Sequence, residues 1–207
     1  MTSRIPRLGF DELPEAIATR LRSKVERLGY LGEFFARTAH QEDALAAFID
    51  FTESARGELS EGLVELIALT VSQNMGVEYE RNQHERLSVK LGLGRDWVEA
   101  VETLDPDGPA SSRLSHEQRL VQRFLLVALE TGGKSAAAAL TEMADALGIE
   151  NSLSVMMLMA RYVGHALMVN SLQIAAPVPS IFEDGFGQEE GGPDAESGSG
   201  TAREPGL

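Results

Sequence analysis

The sequence predicts an all-α fold, and three observations predict it. Apolar residues recur at three- and four-residue spacing from Leu13 to Ile174. No stretch sustains the alternation of a half-buried strand, and glycine, proline and serine fall where helices would start and stop. Taken in order, Leu13 to Leu28 opens with Pro14 in the first turn, where a missing N–H costs nothing, and carries Ile17, Leu21 and Val25 at fourfold spacing. Tyr30 to Ala39 and Glu42 to Glu53 follow as shorter segments, the second with a Leu45, Phe48, Phe51 stripe. Ser60 is placed to cap a helix bearing Leu63, Leu66, Ile67 and Val71, interrupted at Asn74-Met75-Gly76. A helix from Val77 to about Leu91 stops at Gly92 and Gly94, and a short one surrounds Trp97.

Asp105 to Arg113 holds two prolines, a glycine and two serines and forms the clearest internal boundary. Beyond it, Ser115-His116-Glu117-Gln118 fits a capping box for a helix through Leu120, Phe124 and Val127. Lys134 to Leu147 is alanine-rich and ends at Gly148. Asn151 is expected to cap the last helix, which is apolar nearly all round to about Ile174 and so expected to be buried. Each half holds a helical hairpin of similar length, without the identity that defines a repeat. Two glycine motifs carry no nucleotide site. In Glu130 to Ser135, Ala128 stands where a phosphate loop needs its first glycine, and Leu91-Gly92-Leu93-Gly94 reads as a helix stop.

The 207 residues carry 18 basic and 32 acidic side chains, a net charge of −14, which disfavours a nucleic-acid partner. Residues 183–207 contribute −6 of this with seven glycines and little to bury, so they read as a disordered acidic tail after a helical domain over residues 1–182. The longest apolar run within a helix ends at Arg161, too soon to cross a bilayer, and the N-terminal residues have no secretory pattern. The expected location is cytoplasmic, with no membrane partner. There is no cysteine, which removes disulfides, thiolate nucleophiles and thiolate-held metals.

Chemistry concentrates between Glu65 and His84. Glu80 and His84 are four apart on one helix, so the carboxylate reaches the imidazole and favours its charged form. Glu65 lies among apolar neighbours, where a carboxylate requires a partner. Arg161 interrupts a helix of Met, Leu and Val, and its guanidinium needs an anion, either Glu65 or a substrate carboxylate held bidentately. His165 lies one turn on, and Tyr79 reads as packing or as a site hydroxyl. One firmly placed histidine with Glu65 and Glu80 makes a weak metal set, so neither metal nor cofactor is expected.

The spacing Glu65, Val77, Glu80, His84 resembles the carboxymuconolactone decarboxylase and alkylhydroperoxidase D family, in which a glutamate, eleven residues and a Cys-x-x-Cys-x-x-x-His segment open a helix. Val77-Glu78-Tyr79-Glu80-Arg81-Asn82-Gln83-His84 is similar to its cysteine-free, decarboxylase-type version. The likeness extends to Arg4 to Leu8, Phe35 to His40 and Tyr162 to Asn170, and covers residues 4 to 174. It implies an alkylhydroperoxidase D-like bundle of two helical halves around a shared core, assembled as a homotrimer or homohexamer. The thiol peroxidase route lacks its cysteines here. The decarboxylase route needs only proton transfer, which implies a cofactor-independent lyase or isomerase acting on a small carboxylated lactone or related enolisable acid. Its catalytic residues would be His84 as acid and base, Glu80 to orient it and Glu65 as second proton carrier, with Arg161, Tyr79 and His165 toward the substrate. The alternative is a non-catalytic helical oligomer that binds a small ligand or partner protein, motivated by the inert Val77.

Overall fold

The computed structural model describes residues 5–183 and 186. Among them are nine α-helices, α1 (Glu15–Leu28), α2 (Glu33–Thr38), α3 (Glu42–Arg56), α4 (Glu61–Asn74), α5 (Glu78–Lys90), α6 (Arg95–Glu102), α7 (His116–Thr131), α8 (Ala137–Leu147) and α9 (Ile149–Leu172). Short 3₁₀ turns occupy Phe10–Glu12 and Pro109–Arg113, and the described residues contain no strand. The fold is an all-α helical bundle.

Helix α4 is the hub because its middle is apolar on every side. Each residue from Leu63 to Ser72 is buried, and α5, α6, α7 and α9 pack around it. Its first turn is closed as the sequence predicts, the Ser60 hydroxyl accepting from the Leu63 N–H at 3.3 Å. Ser115 and Gln118 form the expected capping box on α7. Two apolar clusters result, one of α4, α6 and α7 with Val155, Leu158 and Tyr162 of α9, the other of α1 to α3 with Ala166 and Val169 further along α9. Helix α9 therefore runs through both halves. The Asp105 to Arg113 stretch is a turn packed on α6 within this body.

Two expectations about α9 are corrected. The helix starts at Ile149 after Gly148, whose φ of 81° suits glycine, and Asn151 turns back to the Leu147 carbonyl at 3.2 Å instead of capping. Nor is α9 buried all round: Ile149, Leu153, Met157 and Leu167 lie exposed along one side. By length and composition α9 can cross a membrane, but its inner side carries Arg161 and His165 into the bundle. After α9, residues 174–183 run back along α5 as a strap, with Ile181 fully buried. Of the expected tail, all but Glu183 and Phe186 lies outside the described residues, as does Arg4.

Candidate functional site

The α4–α5 turn brings the predicted residues together. Val77 ends the turn, its N–H bonded to the Ser72 carbonyl at 2.8 Å, and α5 then folds back against α4. Glu65 on α4 thereby faces His84 on α5, its Oε2 2.7 Å from Nδ1. One turn earlier on α5, Glu80 Oε2 stands 3.2 Å from His84 Nε2. Both ring nitrogens are engaged by carboxylates, an arrangement satisfied fully when both carry hydrogen. Glu65 is 2% exposed, whereas the side chains of Glu80 and His84 keep 11% and 16%, so the relay is closed at Glu65 and partly open at His84 and Glu80.

From α9, Arg161 Nη1 lies 3.7 Å from Glu80 Oε2 and His165 Nδ1 lies 3.1 Å from Glu80 Oε1. Both contacts are within ion-pair reach but lack hydrogen-bond alignment, leaving Nη1 and Nδ1 buried without a hydrogen-bond acceptor. The protein anion facing Arg161 is thus Glu80, where the sequence offered Glu65 or a substrate carboxylate. Local spacing ties Glu80 to His84 but says nothing of which carboxylate α9 will meet. Arg161 is aimed by Thr52, which accepts from its Nε at 3.1 Å while donating to the Phe48 carbonyl at 2.8 Å. Its guanidinium lies over the rings of Tyr162 at 4.4 Å and Phe48 at 5.3 Å.

Burial by itself would raise the Glu80 carboxyl, but His165, the His84 hydrogen bond and Arg161 together hold it well below the usual carboxylate range. Burial likewise opposes charge on His84. Tyr162, then Glu65 through charge and hydrogen bond, and finally Glu80 outweigh it and hold the imidazole well above its ordinary value. Tyr162 is itself raised by burial, against the opposing pull of His84 and Arg161. His165 is pushed down to about 4 by burial despite Glu80, so at neutral pH it is an uncharged imidazole. The resting site holds an imidazolium between two carboxylates, with a guanidinium closing the far side.

Tyr79 lies apart from this chain. Its buried hydroxyl sits at the start of α2, 3.5 Å from the Phe34 N–H, and a Cβ on Gly32 would approach it to 3.0 Å. Its ring lies 6.2 Å from that of His165. Sequence reasoning missed Tyr162, whose ring meets His84 edge-on at 5.5 Å, and Thr52, which orients Arg161. Tyr162 was visible as the neighbour of Arg161, whereas a threonine in α3 gave no signal. Among the described residues no group of three or more His, Asp or Glu is arranged to hold a metal ion. An open hollow of about 530 Å³, lined by Glu58 and Leu147 to Asn151, shares no residue with the cluster.

Fold and site define a cysteine-free helical bundle with a glutamate–histidine–glutamate chain at its α4–α5 turn. Residues 42–107, which include Glu65, Glu80 and His84, match the sequence profile of the carboxymuconolactone decarboxylase family. That segment is similar to the family, and the chain as a whole has an alkylhydroperoxidase D-like fold. A crystal structure of an alkylhydroperoxidase AhpD core, an uncharacterised peroxidase-related protein from Ralstonia eutropha JMP134, superposes with a TM-score of 0.72 at 18% identity, covering 85% of this chain and 93% of that one. A cysteine-to-alanine variant of the debrominase Bmp8, solved in complex with 2,3,4-tribromopyrrole, gives a TM-score of 0.70 at 15% identity, covering 84% and 91%. At such identities these likenesses speak for the fold. No curated protein matches the chain.

Proposed function

We propose that this protein is a cofactor-independent proton-transfer enzyme, a decarboxylating lyase or an isomerase, acting on a small carboxylated lactone or related enolisable acid. The observation that carries this reading is the continuous chain from Glu65 through both nitrogens of His84 to Glu80, placed beside the unaligned Nη1 of Arg161. Arg161 would hold a substrate carboxylate that stays on the product, since gripping the departing one would oppose its loss. In decarboxylation, the breaking carbon–carbon bond releases carbon dioxide and leaves its electron pair in a dienolate. The imidazolium stabilises that charge, and its Nε2 proton passes across Glu80 to the substrate carbon, forming the new C–H bond. His84 is left neutral and is recharged from solvent. Glu65 anchors the ring and favours its return to the charged state. Tyr79 and His165 would form the wall behind Glu80.

This refines the roles suggested by sequence. With both nitrogens occupied, His84 reaches substrate through Glu80, the less buried of its two carboxylate partners, or by displacing it. The test uses 4-carboxymuconolactone with wild type, His84→Ala and Glu80→Gln, after confirming unchanged subunit assembly. The expected loss in either variant is about 10²–10⁴-fold in kcat. Full activity in both discards the assigned roles, and no turnover by wild type discards the substrate.

A second reading is favoured by the balance of charge around Glu80, in which three cationic or polar partners converge as they would in a structural ion network. Under it the protein is a non-catalytic oligomer that binds a small ligand or partner protein. Both readings include a cytoplasmic homotrimer or homohexamer built from the 1–182 domain, without nucleic acid or membrane. The uncovered apolar side of α9 supports such assembly.

A further inference from the structure

Arg161 stands beside an anion that it does not bond. Its Nη1 lies 3.7 Å from Glu80 Oε2, about 0.8 Å beyond an ordinary charged N–H···O bond, and is buried with no other acceptor. A buried guanidinium N–H left unbonded is costly, and a flexible side chain free to move would close so short a gap. Something therefore holds the gap open. The facing oxygen is meanwhile engaged on its other side, since Glu80 Oε2 is 3.2 Å from His84 Nε2.

What holds it is the α3 pair Phe48 and Thr52, about one helical turn apart and so turned to the same side, against α9. The Thr52 hydroxyl gives its hydrogen to the Phe48 carbonyl at 2.8 Å, which leaves its oxygen to accept from Arg161 Nε at 3.1 Å. The Phe48 ring lies against the same guanidinium at 5.3 Å, and the Tyr162 ring at 4.4 Å. One edge of the guanidinium is thus bonded to α3 and its π surface is packed against two rings. Phe48 also lies nearly parallel to the His165 ring, at 6.2 Å and 15°, so one α3 residue props both α9 groups that face Glu80.

We infer that Thr52 is the positioning residue for carboxylate recognition: its hydroxyl anchors Arg161 at Nε and holds Nη1 off Glu80, open to a carboxylate oxygen of a ligand. The inference rests on the reading of Arg161 as the grip on a substrate carboxylate, and adds what keeps that grip available. Without the hydroxyl, the guanidinium is expected to turn its unbonded N–H onto Glu80 and form a closed ion pair. Such a pair would consume the anion receptor and also load the carboxylate that meets His84. Thr52 acts only through Arg161, so its removal is felt by ligands that carry the charge and not by uncharged ones of the same shape.

The test is calorimetric titration of the full chain at pH 7 with γ-carboxy-γ-butyrolactone and with its methyl ester, which keeps the ring and removes the charge. This lactone is saturated, so no dienolate forms and binding is read without turnover. Thr52→Val keeps the shape of the side chain without the hydroxyl, and Thr52→Ser keeps the hydroxyl. Wild type is expected to prefer the acid, Thr52→Ser to retain that preference, and Thr52→Val to bind the acid about tenfold to a hundredfold more weakly with the ester unaffected. An undiminished acid preference in Thr52→Val overturns the inference and leaves the Arg161 grip standing. An equal loss for acid and ester does the same, since it marks a merely structural role. A wild type that binds acid and ester alike, or neither, refutes the grip itself, and the positioning role falls with it. If Thr52→Val fails to fold, the Arg161 Nε–H of wild type decides: slow exchange with solvent is expected, and exchange as fast as that of an exposed arginine overturns the anchor.

Discussion

Replacing Glu65 by glutamine isolates the charge on the buried side of the relay. The glutamine keeps the size and an acceptor oxygen for His84 Nδ1, so what is lost is the negative charge 2.7 Å from an imidazolium. A hydrogen bond of this charged kind contributes about 1.5–3 kcal/mol, equivalent to about one to two units in the His84 pKa. The sign follows from His84 being held above its ordinary value: its contribution to stability is fully present below the unfolded pKa, about 6.5, and is lost as pH rises through the folded one. In Glu65→Gln the folded value falls. The deficit is therefore full at pH 6, and closes as pH climbs from the variant's His84 pKa to that of wild type. Urea denaturation at fixed protomer concentration, at pH 6, 7.5 and 9, reads this directly. A deficit that is absent at pH 6, or the same at every pH, refutes the claim that Glu65 holds His84 charged.

Other outcomes follow from the same geometry. Glu80→Gln leaves Arg161 and His84 without their shared anion and is expected to cost about 3–5 kcal/mol at pH 7 by urea denaturation; because the Glu80 carboxyl is depressed, the wild-type contribution holds above about pH 4.5 and is lost as pH falls through its folded value. A loss below about 1 kcal/mol would place the Glu80 contacts among weak surface pairs. Ile67→Ala, at a fully buried position in α4, is expected to cost about 2–5 kcal/mol, and Ser60→Ala about 1 kcal/mol through loss of its cap. Met157→Glu on the exposed side of α9 is expected to lower the solution mass measured by light scattering with helicity unchanged, and an unchanged oligomer would move the proposed interface elsewhere.

What the sequence makes legible here is what depends on neighbours along the chain. Helix periods, the Ser60 and Ser115 caps and the Glu80 and His84 pair all lie within a turn or two, and each appears in the fold. Glu65 was found through a spacing that spans the α4–α5 turn. Residues from distant elements were another matter. Arg161 announced that it needed an anion, but whether α9 would lie nearer Glu65 or Glu80 depends on how two hydrophobic clusters pack. Thr52 is an ordinary α3 threonine until Arg161 arrives beside it. An all-round apolar pattern was read as burial for α9, although it equally fits a helix with one side uncovered within a single chain. The strap after α9 gave no signal of its own, because its attachment depends on where Glu85 of α5 meets Ser180 and Ile181.

The most direct trial of the proton-transfer reading is turnover of 4-carboxymuconolactone by wild type in deuterated water, followed by isotope analysis of the product. Delivery from His84 through Glu80 is expected to place one deuterium on a single side of the newly protonated carbon, in step with carbon dioxide release. Deuterium spread equally over both sides would mean that bulk water, and not an enzyme-held acid, completes the reaction, and would contradict the role given to the Glu65–His84–Glu80 chain.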